Sequence, residues 1–465
     1  MKAHRLAHVT LLTIVLVIGG VASTADATDA PIDQILAAAH RDAGITPTER
    51  CDNPTYLRRI SLDLLGRVPT SDELDRFEAA NDRDGTLDQM LRSEEFSRYW
   101  SQIWTTILVG RGESRQVDRE ALRRWLQTQL EQQTPLDQIA FDLISAEGVT
   151  TLDGGVNFLV ANREDPVTPV SRIFLGVQLD CARCHDHPFD RWTQADYTAM
   201  RRFFQSISLR EVSGGVQVLD SGARIDSGPQ NDSTDTTPRF LTGSRPRTAA
   251  WRRELALMTV RSKPFARAMG NRVWQLLIGR GIVDPVDGLS QAHPPSVPAL
   301  HQALADQLRG NGFDLRGLIR TIVTSDAYAR TAPRADARNR AESIEWFAAR
   351  APRPLLPEQL IASYATVMKQ DPPSPVLLNS LAVDFIGQSA AEVGATDPLA
   401  LQRTSQGLLQ ELAAETSPPS GDLDSIFRST LSRPPDDWER QRLAGVPGSD
   451  WLYVLLHGNE FVFSH

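Results

Sequence analysis

The residues of this sequence that are best suited to chemistry are Cys181, Cys184, His185 and His187, which lie within seven positions of one another. Two cysteines separated by two residues and followed directly by a histidine form the attachment sequence for c-type haem. The thiols lie about one helical turn apart, so each can add to one vinyl group, and His185 can then ligate the iron. The pattern predicts haem c held by Cys181, Cys184 and His185, with a role in electron transfer.

The second axial ligand of such a haem is not fixed by the sequence. His187 is only two residues beyond His185, so on a helix it would point away from His185 and could not easily reach the opposite haem face. Nothing in the spacing selects among the remaining candidates, which are Met200, Met269, His293 and His301.

The same residues have a second interpretation, as ligands of a bare zinc or iron ion. Cys181 and Cys184 have the spacing of a metal-binding knuckle, and His185 and His187 add two imidazoles. Pro188 would end a helix and let His187 fold back toward the cysteines. Such a site suits an extracytoplasmic binding or assembly module. A hydrolase that uses the metal as a Lewis acid is the least supported function.

A third interpretation is a disulfide between Cys181 and Cys184, because an exported Cys-x-x-Cys pair oxidises readily. A thioredoxin-like role would require a strand–helix context, which the surrounding sequence lacks. Cys51 stands alone, and a lone cysteine is usually a buried apolar thiol. The sequence leaves haem, bare metal and disulfide open, together with a purely structural role for the segment.

The first 27 residues have the pattern of a signal peptide. A basic start precedes an apolar run from Val9 to Val21, which is shorter than the roughly 20 residues that span a bilayer. Ala25-Asp26-Ala27 presents small residues at the positions that signal peptidase reads. We expect cleavage after Ala27, a mature chain that begins at Thr28, and a periplasmic or extracellular location without a later membrane span.

Composition narrows the classes of partner. The 465 residues carry a net charge of −9, which argues against nucleic acid because phosphate binding requires a basic face. Three cysteines are too few for a disulfide-rich scaffold. The sequence contains no nucleophile elbow, phosphate loop, HExxH motif or dinucleotide fingerprint. Catalytic residues are therefore unknown, enzymatic activity stays open, and the expected partner is an unidentified redox or other protein.

Helical periodicity dominates from Pro31 onward and predicts a mainly α, multidomain helical protein with a short irregular or β-containing insert. Asn53 before a proline predicts an N-cap, and Gly66 predicts a left-handed C-cap. Thr70 and Glu73 have capping-box spacing. Between positions 212 and 247 glycine, serine, aspartate and threonine accumulate, and apolar residues alternate briefly from Val216 to Leu219. This pattern indicates a turn-rich linker or a small β insert.

These features predict four segments. They are a signal peptide at 1–27, an N-terminal helical domain at 28–211 with the cysteine motif, a linker or insert at 212–247, and a C-terminal helical domain at 248–465. The C-terminal helical domain could be divided again near 331–342. Charged and amide side chains that interrupt apolar helical sequence are expected to form buried ion pairs and caps. These residues are Arg58, Arg59, Asp63, Asn271, Arg272, Asp284 and Asp287.

The segment from Phe174 to Asp190 closely resembles the central motif of a large family of exported, planctomycete-type proteins with a cytochrome-like label, the domain of unknown function 1549. The segment from Leu57 to Gly66 is similar to that family's N-terminal signature. Four later segments resemble a companion family, the domain of unknown function 1553. They are Pro264–Trp274, Gly279–Asp287, Ile322–Tyr328 and Gly458–Phe461.

The resemblance covers nearly all of the expected mature chain and implies an exported protein without a settled activity. The cytochrome label rests on the Cys-x-x-Cys-His motif and on members fused to a separate cytochrome c domain, which is not recognisable in this sequence. The sequence also departs from the family at His293 and Val297, where members usually have asparagine and histidine. The resemblance therefore implies no role for the loop that contains His293 and Val297.

Overall fold

The computed structural model describes residues 32–112, 114–222, 237–334, 339–371, 374, 376 and 422–464. The expected signal peptide and its cleavage site lie outside these residues. The described chain is mainly α-helical with two small antiparallel sheets, which confirms the predicted fold class.

The helices of the N-terminal half precede and follow the segment that contains the cysteine motif. They are α1 Ile32–Ala43, α2 Asn53–Leu65, α3 Ser71–Ala80, α4 Arg83–Arg92, α5 Glu94–Val109, α6 Arg119–Glu131, α7 Leu136–Ser145, α8 Asn157–Ala161, α9 Val167–Pro169 and α10 Gln194–Arg201. Shorter turns complete this part. They are 3₁₀ turns at Gly154–Val156, Cys181–Arg183 and Arg202–Phe204, and a π-helical segment at Val170–Leu175.

The second half contains further helices that pack against the first. They are α11 Trp251–Arg261, α12 Lys263–Ile278, α13 Pro298–Gly310, α14 Leu315–Val323, α15 Asp326–Ala329, α16 Arg340–Glu345, α17 Pro357–Val367, α18 Leu423–Leu431, α19 Asp437–Leu443, α20 Gly448–Leu456 and α21 Asn459–Val462.

One sheet occupies the start of the predicted insert. Strands β1 (Gly148–Val149), β2 (Ile207–Val212) and β3 (Gly215–Asp220) are antiparallel in the order β1-β3-β2. Val216 and Val218 are buried on one face of β3, as the alternating sequence predicts. The other sheet pairs β4 (Arg353–Pro354) with β5 (Phe463–Ser464).

The helix caps lie where the sequence predicts them, except that the N-cap of α2 is shifted by one residue. The carboxylate of Asp52, and not the predicted Asn53, accepts the amide hydrogen of Thr55 at 2.9 Å. With Asp52 as the N-cap, the proline that follows Asn53 lies in the first turn of the helix. Proline is tolerated there because the backbone nitrogens of the first turn donate no hydrogen bond within the helix, so Asp52 can serve as the cap. The left-handed cap at Gly66, with φ 77°, and the capping box at Thr70 are confirmed.

Two hydrophobic cores meet at α2. The main core runs from Ile32 to Leu356 and includes residues from both sides of the linker predicted at 212–247. The second core combines α17, α18, α20 and α21 with Leu62 of α2. Leu57 and Ile60 of the same helix belong to the main core. Helix α2 is therefore buried on nearly every side and joins the two cores.

A buried charge network around α2 confirms that Asp63 has a structural role. The Asp63 side chain is fully buried, forms ion pairs with Arg350 at 3.4 Å and with Arg353, and accepts the Tyr328 hydroxyl at 2.7 Å. Paired and hydrogen-bonded in this way, a carboxylate can be tolerated in the interior.

The two arginines before Asp63 satisfy backbone carbonyls. Arg58 donates to the carbonyl of Thr430 at 2.7 Å, which ties α2 to α18. Arg59 donates to the carbonyl of Tyr328 at 2.9 Å and to Cys51 Sγ at 3.3 Å. Cys51 is buried, as expected for the lone cysteine.

In the part of the chain that the structure describes, no helix combines the length and the apolar character needed to cross a membrane.

Candidate functional site

The polypeptide reaches the cysteine motif through a close contact at Gly176. The π-helical segment Val170–Leu175 ends there in a left-handed conformation with φ 66°. A Cβ atom at this position would lie 2.4 Å from Cδ1 of Leu289, and the Leu289 amide donates to the Gly176 carbonyl at 2.7 Å. Only glycine allows this approach without strain, and it fixes the start of the motif segment against the second half of the chain.

Cys181 and Cys184 lie on a surface turn whose apolar residues face inward. Cys181–Arg183 forms a single 3₁₀ turn, with Leu179 and Ala182 fully buried. Both thiols are exposed and free. The helix assumed from the spacing is thus only one turn long, and His185 lies beyond it in irregular structure.

The imidazole of His185 is held in one tautomer. Its Nδ1 atom lies 2.8 Å from the carbonyl oxygen of Asp186. A carbonyl can only accept a hydrogen bond, so Nδ1 must carry the proton. The lone pair of the neutral ring is therefore at Nε2, on an exposed side chain. Metal-ligating histidines commonly have this arrangement, in which the second nitrogen donates to a carbonyl or carboxylate.

His187 has the opposite tautomer. The backbone amide of Phe189 donates to Nδ1 of His187 at 3.2 Å, so this nitrogen is the acceptor and the neutral ring is protonated at Nε2. The His187 amide itself donates to the carbonyl of Trp192 at 2.8 Å. The imidazole lone pair of His187 is consequently used to hold the loop that follows the motif.

Hydrogen bonds to Gln194, the first residue of α10, hold the motif loop against that helix. Asp186 Oδ1 accepts the amide hydrogen of Gln194 at 2.9 Å, and Gln194 Nε2 donates to the carbonyl of Cys184 at 3.3 Å. The Arg183 guanidinium lies beside Cys184 and 3.9 Å from Asp165. A hydrogen bond to Cys184 raises the pKa of Arg183 above its ordinary value. A fixed cation therefore accompanies one of the two thiols.

A groove of about 740 Å³ borders the loop after the motif. Phe189 is 82% exposed at its edge, and the Arg191 guanidinium lies 4.4 Å from the ring centre of Trp192. The opposite wall includes His293 and His301. The volume is within the roughly 300–1,000 Å³ typical of small-molecule and cofactor sites.

Residues 31–209 match the family model PSCyt2, a protein of unknown function (DUF1549), and residues 251–372 match PSD1, a protein of unknown function (DUF1553). The chain therefore contains a PSCyt2 region followed by a PSD1 region. This match confirms the resemblance stated from the sequence. No curated protein and no solved structure matches the chain. The PSCyt2 region contains the cysteine motif, and the PSD1 region contributes His293 and His301 to the neighbouring groove.

The PSD1 region contains three of the four predicted axial ligands, Met269, His293 and His301, and the four candidates differ in exposure. Met200 and Met269 are enclosed in the main core. His301 is buried, lies 3.3 Å through Nε2 from the Arg267 carbonyl, and has a pKa lowered to about 4 by burial. His293 is exposed.

The second predicted site was a bare-metal centre at Cys181, Cys184, His185 and His187 in the PSCyt2 region. Among the residues that the structure describes, no three cysteine, histidine, aspartate or glutamate side chains are grouped so that they could hold a metal ion. The four side chains thus share one loop without forming a cluster. The metal centre and the disulfide both stay predictions.

Asn271 and Asp287 have the structural roles expected from the sequence. The expectation of buried ion pairs is wrong for Arg272, which donates to a backbone carbonyl and forms no ion pair among the described residues, and for Asp284, which is exposed. Asn271 donates to the Val283 carbonyl at 2.9 Å and so holds the loop after α12. Asp287 pairs with Arg172 at 2.5 Å and accepts from Gln178 at 2.9 Å. No local pattern indicates the role of Arg172, because its partner Asp287 is 115 positions away.

Proposed function

We propose that this PSCyt2–PSD1 protein is an exported redox protein that holds haem c through Cys181, Cys184 and His185. The observation that carries the proposal is the hydrogen bond from His185 Nδ1 to the Asp186 carbonyl, since it leaves Nε2 free to ligate iron. Bound haem would supply one-electron transfer.

The residues of the loop have separate tasks in this proposal. Cys181 and Cys184, both exposed, would each form a thioether to one vinyl group, with the thiol hydrogen passing to the second vinyl carbon. Asp186 would orient His185 and increase its basicity as a ligand through the carbonyl hydrogen bond. The buried Ala182 would keep the turn anchored while both thiols face solvent.

The opposite tautomers of the two histidines favour haem over a bare metal. A four-ligand zinc or iron site needs a lone pair from each imidazole. Nδ1 of His187 already accepts from the Phe189 amide, so recruiting that atom would leave a backbone donor without its partner. Haem attachment needs only His185 from this pair. Of the four candidates for a second iron ligand, His293 would be the available one, because it is exposed at the groove whereas Met200, Met269 and His301 are buried.

Extracytoplasmic location is part of the same proposal. Haem c is attached outside the cytoplasm, and the first 27 residues have the sequence pattern of a signal peptide. The exposed thiols of the motif would meet the maturation machinery after export.

The test is expression of the full chain, with its leader, in a bacterium that carries haem c maturation machinery. We expect a Soret band from the purified protein and haem that stays with the chain on a denaturing gel. Cys181→Ser and Cys184→Ser should each lose one thioether, and His185→Ala should alter the Soret band or abolish maturation. His187→Ala is the matched control in the same loop and should retain covalent haem.

Cys51→Ser is a second control, because that thiol is buried beside Arg59 and away from the motif loop. A colourless wild-type protein overturns the haem proposal. Metal analysis and thiol titration then separate the alternatives. Zinc or iron lost equally in His185→Ala and His187→Ala would indicate a bare-metal site, and metal-free protein with two unreactive motif thiols would indicate a disulfide.

A further inference from the structure

A second cavity, of about 520 Å³, lies between the two family regions and apart from the cysteine loop. Its apolar wall includes Trp100 and Ile103 of α5, and its polar wall includes Arg272 of α12 and Asp287 of the following loop. We refer to it as the Arg272 cavity. Its volume is within the range of small-molecule sites, and it combines an apolar surface with a few convergent polar groups, as such sites do.

Most charges of the Arg272 cavity are already paired within the protein. Arg353 pairs with Asp63, and Arg172 pairs with Asp287 at 2.5 Å. These ion pairs hold the walls of the cavity together and leave little charge to attract a ligand.

Arg272 differs from the other arginines of the lining. It is only 9% exposed, and Nε has no hydrogen-bond partner among the described residues. Its NH2 group donates to the backbone carbonyl of Arg172 at 3.2 Å, and within the described chain no carboxylate forms an ion pair with it. Burial lowers the pKa of Arg272 to about 10, and the nearby charges of Asp287 and Arg172 act on it in opposite directions, so the guanidinium is still charged at neutral pH.

A buried charge without a carboxylate is costly unless another group compensates it. A guanidinium presents its donors in a planar fork that matches a carboxylate, and the resulting pair is stronger than bonds between neutral groups. Arg353 and Arg172 pair with two of the three aspartates of the lining, and the third, Asp284, lies 3.9 Å from Arg280 outside the lining. Among the described residues Arg272 is therefore the arginine of the lining without a carboxylate, and a single negative charge would compensate it. A dianion would be repelled by the three aspartates. The apolar wall suits a hydrocarbon part of the same ligand.

We propose that the Arg272 cavity binds a small organic acid, with its carboxylate on Arg272 and its hydrocarbon part against Trp100 and Ile103. The site is independent of the haem proposal, since it shares no residue with the cysteine loop.

The test is calorimetric titration of the purified, full mature protein with benzoate and hexanoate, with benzamide as the neutral counterpart of benzoate and inorganic phosphate as the dianion. We expect saturable binding of at least one of the two acids, and no binding of benzamide or phosphate. Arg272→Met should weaken the binding by about tenfold or more, because a hydrogen bond to a charged group is lost. Arg272→Lys keeps the charge without the planar fork and should bind with intermediate affinity.

Arg320→Met is the matched control, since this arginine pairs with Asp84 at the surface and does not line the cavity. It should bind the acids as the wild type does. Thermal unfolding distinguishes a folding defect from a lost site: Arg272→Met should unfold no earlier than the wild type, because it removes a buried, unpaired charge. The proposal is overturned if neither acid binds the wild type, if benzamide or phosphate binds as well as benzoate, or if folded Arg272→Met binds unchanged.

Discussion

Replacement of Asp63 by leucine should be among the most destabilising single changes in this protein. The Asp63 side chain is fully buried and is the carboxylate that pairs with Arg350, whose own side chain is also fully buried. Leucine would leave the Arg350 charge in the interior without a carboxylate, with a long contact of 3.5 Å to the Tyr328 carbonyl and a contact of 4.8 Å to the centre of the Tyr328 ring. The hydroxyl of Tyr328 would lose its acceptor at 2.7 Å as well.

The magnitude follows from the burial of the group that loses its partner. Removing one member of a buried ion pair costs about 3–5 kcal/mol, because the remaining charge is uncompensated. Arg353 adds less to this loss, since its side chain is 20% exposed and can turn toward water. A change of this size is a large part of the roughly 5–15 kcal/mol by which domains are stable.

The assay is urea unfolding followed by tryptophan fluorescence, with the free energy of unfolding compared between variants. Asp84→Asn is the control, because Asp84 pairs with Arg320 at 3.1 Å on the surface and such pairs contribute about 0–1 kcal/mol. The double variant Asp63→Leu with Arg350→Met should recover part of the loss, since the fully buried Arg350 charge is removed together with its partner. A loss below about 1 kcal/mol in Asp63→Leu, or no recovery in the double variant, would refute the reasoning.

Two further predictions concern pH and export. The pKa of His301 falls from its ordinary value of 6.5 to about 4 on burial, so the unfolded chain binds this proton more readily. The free energy of unfolding should therefore decrease as the pH falls from about 6.5 to about 4, by up to about 3 kcal/mol, and His301→Gln should flatten this part of the profile; an unchanged slope contradicts the assignment. N-terminal sequencing of the exported protein should begin at Thr28, and recovery of an intact Met1 from the cytoplasm would contradict the predicted cleavage.

Local sequence determined the secondary structure and the identity of the motif. The left-handed cap at Gly66 and the capping box at Thr70 depend on atoms a few residues apart, so their sequence patterns predicted them correctly. The alternation in β3 was readable for the same reason, because neighbouring side chains point to opposite faces of a strand. The choice of Asp52 over Asn53 as the N-cap shows that such boundaries are uncertain by a residue.

Tertiary structure decided which charges meet and which histidine has a free lone pair. The partners of Asp63 and Asp287 are far away in sequence, so no local pattern could indicate Arg350 or Arg172. The sequence likewise placed Arg272 among structural ion pairs, whereas the fold leaves it without a carboxylate among the described residues.

The cysteine motif divides in the same way between sequence and fold. The residue types and spacing of Cys181, Cys184 and His185 predict haem attachment but leave a bare metal and a disulfide open, and they leave His185 and His187 equivalent as ligands of a bare metal. The fold separates them because a carbonyl accepts from one ring and a backbone amide donates to the other. Tautomers depend on such partners, which only the folded loop brings to each imidazole.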